Sequence, residues 1–187
     1  MKNDVNTLLT EIKGANESSF EKLYIKMHKA VFALALSIIR DKSLAEDVVQ
    51  ETFIRIKTKS NSYQEGTNGP AWIFQITRNL SLNLLKKRKC EINIFNNNNS
   101  IDELILKQNS SKDRPQEVEM FIERYLLQEA FTKLNENERQ IVILHAVSGL
   151  KHREIAALLN ISQVTERWYY IRALEKLRKI LSNQIKL

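Results

Sequence analysis

"EIAALLNISQVTERWYYIRALEKLRK", residues 154–179, reads as two short helices with a tight turn between them. Ile155, Ala156 and Leu159 give the first helix an inner face, and the small Ala156 permits a close crossing. Asn160–Ile161–Ser162 forms the turn, with Ile161 placed to plug the junction and Ser162 a good N-cap for the second helix. In a unit of this kind the second helix enters the major groove of DNA and its first residues meet base edges. Tyr170, Ala173, Leu174, Leu177 and Leu181 make one apolar stripe on that helix. If this stripe is core, Thr165, Trp168 and Arg172 point away from it, with Arg167 and Tyr169 on the flanks. Trp168 and Tyr169 are then free to touch sugar or a thymine methyl, and the two arginines to reach phosphate or guanine. Val164, Trp168 and Ile171 form a competing stripe that would bury Trp168. Helical spacing alone leaves both choices open.

The segments before this pair are helical too. Asn135 and Glu138 have the spacing of a cap pair, a helix runs from there to about Ser148, and Gly149 is a natural stop. Pro115 stands near the start of a helix with Ile122, Leu126, Leu127, Ala130, Phe131 and Leu134 inward. In the N-terminal half Phe20, Leu23, Tyr24, Met27, Val31, Leu34 and Ile38 recur at helical spacing over residues 18–39. Asp41–Ser43 break that helix, and Ser43 with Glu46 fits a capping box for the next. Ala45, Val48, Val49, Thr52, Phe53 and Ile56 give this helix one apolar face. "SNSYQEGTNG", residues 60–69, is a loop, and Pro70 opens a further helix with Ile73, Ile76, Leu80 and Leu84 on one face, ending in the basic run of residues 86–89. No strand pattern competes.

Between the two helical halves the composition changes. Residues 91–116 hold an Asn run, several Ser and a Pro, too little apolar surface to bury, and read as a flexible linker. The expected organisation is therefore all-α: a helical bundle at 1–90, a linker at 91–116 and a helix-turn-helix domain at 117–187. The whole chain of 187 residues carries a net charge of +7. The excess sits at the front: residues 1–90 have 15 Lys+Arg against 9 Asp+Glu, whereas residues 117–187 have 11 against 9. A basic balance favours a polyanionic partner, nucleic acid first. The cations concentrate in "RNLSLNLLKKRK", residues 78–89, where Arg78, Asn79, Asn83, Lys86, Lys87 and Arg88 lie along or just past one helix. Several cations within reach of each other suit a phosphate backbone, and the nearby Tyr63, Trp72 and Phe74 are of the type that holds an unstacked base. A solvated basic helix end is the plain alternative.

Other chemistries lack support. Glu46, Asp47 and Glu51 form an acidic face without a His or further carboxylate at metal-binding spacing, which fits a protein-contacting surface better than a metal site. His28, His145 and His152 are scattered, and no nucleophile–base pair, phosphate-cradling Gly loop or dinucleotide fingerprint occurs. The single cysteine, Cys90, allows no internal disulfide. The N-terminal stretch has no apolar core of the kind a signal peptide needs. The expectation is a cytoplasmic binding protein, not an enzyme, with no cofactor and no metal.

"LAEDVVQETFIRI", "AWIFQITRNLSLNLLKKRK", "LNENERQIVILHAVSGLKHREIAALLNIS" and "TERWYYIRALEKLRK", in this order and at these separations, resemble an extracytoplasmic-function sigma factor of the sigma-70 class. The likeness covers about residues 18–90 and 120–182. It implies that the N-terminal domain binds core RNA polymerase and the downstream promoter element and helps to open the duplex. The C-terminal domain would read the upstream element, the linker would thread the active-site channel of the polymerase, and an anti-sigma factor would be a further partner. By position, Asp47, Gln50 and Glu51 resemble the polymerase-contacting face. Trp72, Arg78, Asn79, Asn83, Lys86, Lys87 and Arg88 resemble the downstream-element and melting surface, and loop 60–69 the segment that captures a flipped base. Ser162, Thr165, Arg167, Trp168, Tyr169 and Arg172 resemble the upstream-element reader. Three residues depart from the family pattern: Asn83 where Asp is frequent, Lys151 where Ser or Thr caps the helix, and Glu166 where an apolar residue is usual. The alternative is a stand-alone helix-turn-helix regulator that binds duplex DNA without polymerase.

Overall fold

The computed structural model describes residues 2–14, 16–95 and 130–184. Every regular element among them is helical: α1 (Lys2–Lys13), α2 (Glu17–Ile39), α3 (Lys42–Lys59), a 3₁₀ turn (Ser60–Ser62), α4 (Gly69–Phe95), α5 (Glu136–Ala146), α6 (His152–Leu159) and α7 (Gln163–Gln184). The chain is all-α, as its periodicity requires.

Local chemistry sets the helix ends. Asn16 caps α2 by accepting from the Ser19 N–H at 3.2 Å. Arg40 closes α2 in the left-handed region, at φ 62°. Asp41, not Ser43, then caps α3: its Oδ1 accepts from the Leu44 N–H at 3.1 Å. Asp outcompetes Ser because it stands one residue before the first helical position, where a short acceptor reaches the exposed N–H groups. The buried residues of α3 are the six that the spacing picks out, Ala45, Val48, Val49, Thr52, Phe53 and Ile56.

On α4 the buried face is wider than its apolar spacing. Ile73, Phe74 and Leu80 are buried, and so are Thr77 and Ser81. Their hydroxyls donate back to the carbonyls of Ile73 and Thr77 at 3.0 and 2.9 Å, so burying them leaves no orphan donor. The helix also runs past the basic run to Phe95, five residues into the segment read as linker.

Helix α1 lies in a stretch to which sequence periodicity assigns no element. Val5, Leu8, Leu9 and Ile12 form its buried face, a short i, i+3, i+4, i+7 pattern. It packs on α2 and α4, tied by the Asp4–Lys26 ion pair and a hydrogen bond from Ser19 to Glu11.

In the C-terminal half the pairing of Asn135 and Glu138 is a complete capping box, each side chain accepting the other's backbone N–H at 2.9 Å. Gly149, at φ 65°, ends the segment after α5. Ala130, Leu134, Val142, Ala173 and Leu177 make a core of their own. Leu174, placed in the same stripe by spacing, is instead 42% exposed. The remaining expectations for the helix near Pro115 (Ile122, Leu126 and Leu127) lie outside the described residues. The two halves touch: Arg139 Nε donates to the Ser37 carbonyl at 3.2 Å, and Arg78 Nε to Gln140 Oε1 at 3.2 Å.

Candidate nucleic-acid interface

Helices α6 and α7 with the Asn160–Ser162 turn form the helix-turn-helix. Ile155, Ala156, Leu158 and Leu159 bury the inner face of α6. Asn160 takes the left-handed conformation at φ 56°, which a short polar side chain tolerates, and Ile161 packs against the core. Ser162 Oγ accepts from the Thr165 N–H at 3.0 Å and shares a 2.8 Å hydrogen bond with the Thr165 hydroxyl. Both hydroxyls thus set the start of α7.

The two stripes on α7 are both real, and they face opposite ways. Ala173 and Leu177 are buried, with Tyr170 partly so. Val164, Trp168 and Ile171 are 80%, 52% and 57% exposed. Trp168 therefore points outward, and Val164 and Ile171, which spacing pairs with it as a core alternative, share that outer face. Arg172 lies 4.9 Å over the Trp168 ring and 3.5 Å from Glu138 Oε1, so its guanidinium is held between a π face and a carboxylate. Arg167 is exposed and Tyr169 half-buried, its ring edge-on to Trp168 at 5.0 Å.

Glu166 faces in. Its side chain is fully buried, and His152 of α6 meets it at 2.9 and 3.1 Å through Nδ1. The His152 ring stacks on His145 at 4.6 Å, and Tyr170 meets both rings edge-on. A carboxylate where an apolar residue is usual is accommodated by a histidine on the facing helix, and not by DNA.

Lys151 opens α6 with half a capping box. The Glu154 carboxylate accepts from the Lys151 N–H at 2.9 Å, but an ammonium cannot accept from the helix in return. Lys151→Ser should therefore stabilise the protein by about 1 kcal/mol. That corresponds to a rise of a few degrees in thermal midpoint by circular dichroism, and an unchanged or lower midpoint would contradict it.

Glu138 joins α5 to α7. It is fully buried, with Lys176 Nζ at 2.7 and 2.8 Å. Burial alone would raise its pKa, but the Lys176 hydrogen bond, the Asn135 N–H and the charges of Lys176 and Arg172 outweigh it and hold the carboxyl below its ordinary 4.5. A lowered folded pKa gives stability that is complete above the unfolded value and is lost as pH falls through the folded one. Wild-type protein should therefore outlast Glu138→Gln at pH 7, with the gap in thermal midpoint closing as pH drops below about 4.5. A gap that does not change with pH would refute this.

The N-terminal half offers two surfaces. On α4, Asn79, Asn83, Lys86, Lys87 and Arg88 are exposed. Asn79 accepts from Gln75 at 2.9 Å and Arg88 lies 3.8 Å from Asp41. Arg78 does not join that row: it is half-buried and bonded to Gln140 of α5. Of the three aromatics near the loop, Tyr63 and Phe74 are buried in the core and unavailable to a base. Trp72 is half-buried against Tyr63, ring centroids 5.5 Å apart. On α3, Asp47 and Gln50 are exposed, and Glu51 is paired with Arg55 at 2.8 Å. Ile54, which no sequence pattern marks, is 56% exposed beside them. Among the described residues no three His, Cys, Asp or Glu side chains gather as a metal site, and no helix is long and apolar enough to cross a membrane.

Comparison with known proteins agrees with this architecture. Residues 23–90 match the model of sigma-70 region 2 and residues 124–177 that of sigma-70 region 4. The chain is 28% identical over 169 residues to the ECF RNA polymerase sigma factor SigM of Bacillus subtilis, covering 89% of this chain and 98% of that one. It is 31% identical over 149 residues to the ECF sigma factor EcfG of Rhodopseudomonas palustris, covering 80% and 77%. Two solved structures share the fold. One is RpoE in complex with the anti-sigma factor NepR from Bartonella quintana, with TM-score 0.68, 24% identity and 87% and 96% coverage. The other is CnrH in complex with the cytosolic domain of CnrY, with TM-score 0.65, 21% identity and 96% and 98% coverage. Sigma factors are transcription initiation factors without catalytic activity of their own. The chain belongs to the extracytoplasmic-function sigma factors of the sigma-70 class, and is an alternative RNA polymerase sigma factor.

Proposed function

We propose that the work is divided along the chain. Residues 1–90 bind core RNA polymerase through Asp47, Gln50 and Glu51, and capture and melt the downstream promoter element through α4 and loop 60–69. Residues 91–116 connect the halves through the polymerase channel. Residues 117–187 read the upstream element as duplex, with Ser162, Thr165, Arg167, Trp168, Tyr169 and Arg172 at the groove. The protein works in the cytoplasm, performs no catalysis itself, and takes an anti-sigma factor as a further partner.

The observation that carries this reading is the exposed row Asn79, Asn83, Lys86 and Lys87, at i, i+4, i+7 and i+8 on α4. Amides followed by cations on one helical face can meet bases and the adjoining phosphates of a single strand. Arg78, half-buried and bonded to Gln140, lies off that face, whereas Trp72, also half-buried, stands about two turns before Asn79 in line with the row.

The upstream assignment is tested at Trp168. Half of this side chain is already in water, so its loss costs little stability. Trp168→Ala should weaken binding of the holoenzyme to the upstream duplex about tenfold, the scale of one good base contact, with the thermal midpoint nearly unmoved. Equal protection of the upstream element by both proteins in a footprinting titration would remove Trp168 from the reader.

A further inference from the structure

Helix α1 precedes residue 23, where the match to region 2 begins, yet it reaches the loop between α3 and α4. The Asn6 carboxamide spans the end of that loop. Its Nδ2 donates to the Thr67 carbonyl at 3.0 Å, and its Oδ1 accepts from the Gly69 N–H at 2.8 Å. One side chain thereby fixes both a carbonyl and an N–H of the same short segment.

Three further contacts converge there. The Tyr63 hydroxyl also donates to the Thr67 carbonyl, at 3.1 Å. Lys13, at the far end of α1, lies 5.7 Å over the Tyr63 ring and 3.4 Å from Glu65 Oε1. Gly69 has no side chain because α1 occupies the space: a Cβ there would stand 2.5 Å from Asn6 Oδ1 and 2.8 Å from Leu9 Cδ1. The fit between α1 and the loop is therefore built from both sides. Gln64, Glu65, Gly66 and Thr67, between these anchor points, remain exposed.

We propose that Asn6 is a positioning residue for single-strand capture, holding loop 64–68 in the conformation that receives an unstacked promoter base. This rests on the reading of loop 60–69 as the capturing segment. A loop left to sample many conformations must be ordered when the strand binds, and that ordering is charged against affinity. Two hydrogen bonds from a packed helix order it beforehand, so the free protein already holds the receptive shape.

The test uses holoenzyme reconstituted with core polymerase and non-template-strand oligonucleotides from the melted region of a promoter it transcribes. Each position is replaced in turn by an abasic site. Wild-type holoenzyme should lose roughly tenfold in affinity at one position, the scale of one captured base. Asn6→Ala should bind the intact strand roughly tenfold more weakly and show no further loss at that position, with binding to upstream duplex unchanged. Tyr63→Phe, which keeps α1 and removes only the second donor to Thr67, should show a smaller loss of the same pattern. A loss of fold alone lowers the active fraction but leaves the abasic penalty in place. An undiminished penalty in both variants therefore overturns the role of Asn6. No penalty at any position in the wild type overturns the capturing role of the loop, and the inference with it.

Discussion

His152→Ala should destabilise the protein by about 3 kcal/mol, because it leaves a fully buried carboxylate, Glu166, without its side-chain partner. Burying an unpaired charge costs more than the pair gains, so the loss exceeds that of an exposed ion pair. The expected fall in thermal midpoint is roughly 6–12 °C. Glu166→Leu added to His152→Ala should recover more than half of it, since an apolar side chain then replaces the buried carboxylate that had lost its hydrogen-bond partner. The two changes would then be strongly non-additive, as groups in direct contact are. Strictly additive losses would mean that the carboxylate is hydrated and that the α6–α7 contact rests on packing alone. Because this pair joins the two helices of the DNA-reading unit, upstream binding should fall and recover with stability.

Replacing Lys86, Lys87 and Arg88 together by Ala should lower affinity of the holoenzyme for a melted promoter strand roughly a hundredfold at moderate salt. All three side chains are exposed, and the Arg88–Asp41 contact is a solvated pair at 3.8 Å, so stability should change by less than about 1 kcal/mol. The sharper signature is the salt dependence. Each lost contact to single-stranded phosphate flattens the slope of log affinity against log salt by about 0.7, so the triple variant should flatten it by about 2. An unchanged slope would identify the basic run as a solvated helix end.

Strong periodicity makes most of the fold legible. On α3 the apolar spacing names the buried residues one for one, and Asn135 with Glu138 announces the start of α5. Failures come where polar atoms take part in burial. Thr77 and Ser81 go inside because the helix backbone accepts their hydroxyls, and no hydrophobic pattern marks them. Helix α1 spans only three turns with one short apolar face, too little signal without its tertiary partners.

The site is legible as residue types at positions, not as directions. On α7 the two stripes are equally regular, and only the packing of Ala173 and Leu177 against Ala130, Leu134 and Val142 decides that Trp168 faces out. Arg78 belongs by sequence to the basic row, but its place on α4 turns it toward Gln140. Asn6 lies more than sixty residues from the backbone it holds, so no local pattern signals it. Glu166 reads in sequence only as a charged residue where an apolar one is usual, because its partner, His152, sits on the other helix of the pair.

Direction of core polymerase to promoters through two separate reading surfaces is tested most directly by run-off transcription. Purified protein is added to bacterial core polymerase on a fragment library of its host genome, and start sites are mapped by sequencing. Discrete starts that require the protein and share two spaced upstream motifs are expected. An absence of new starts, together with tight duplex binding by the protein alone, would contradict a sigma factor's role for this chain.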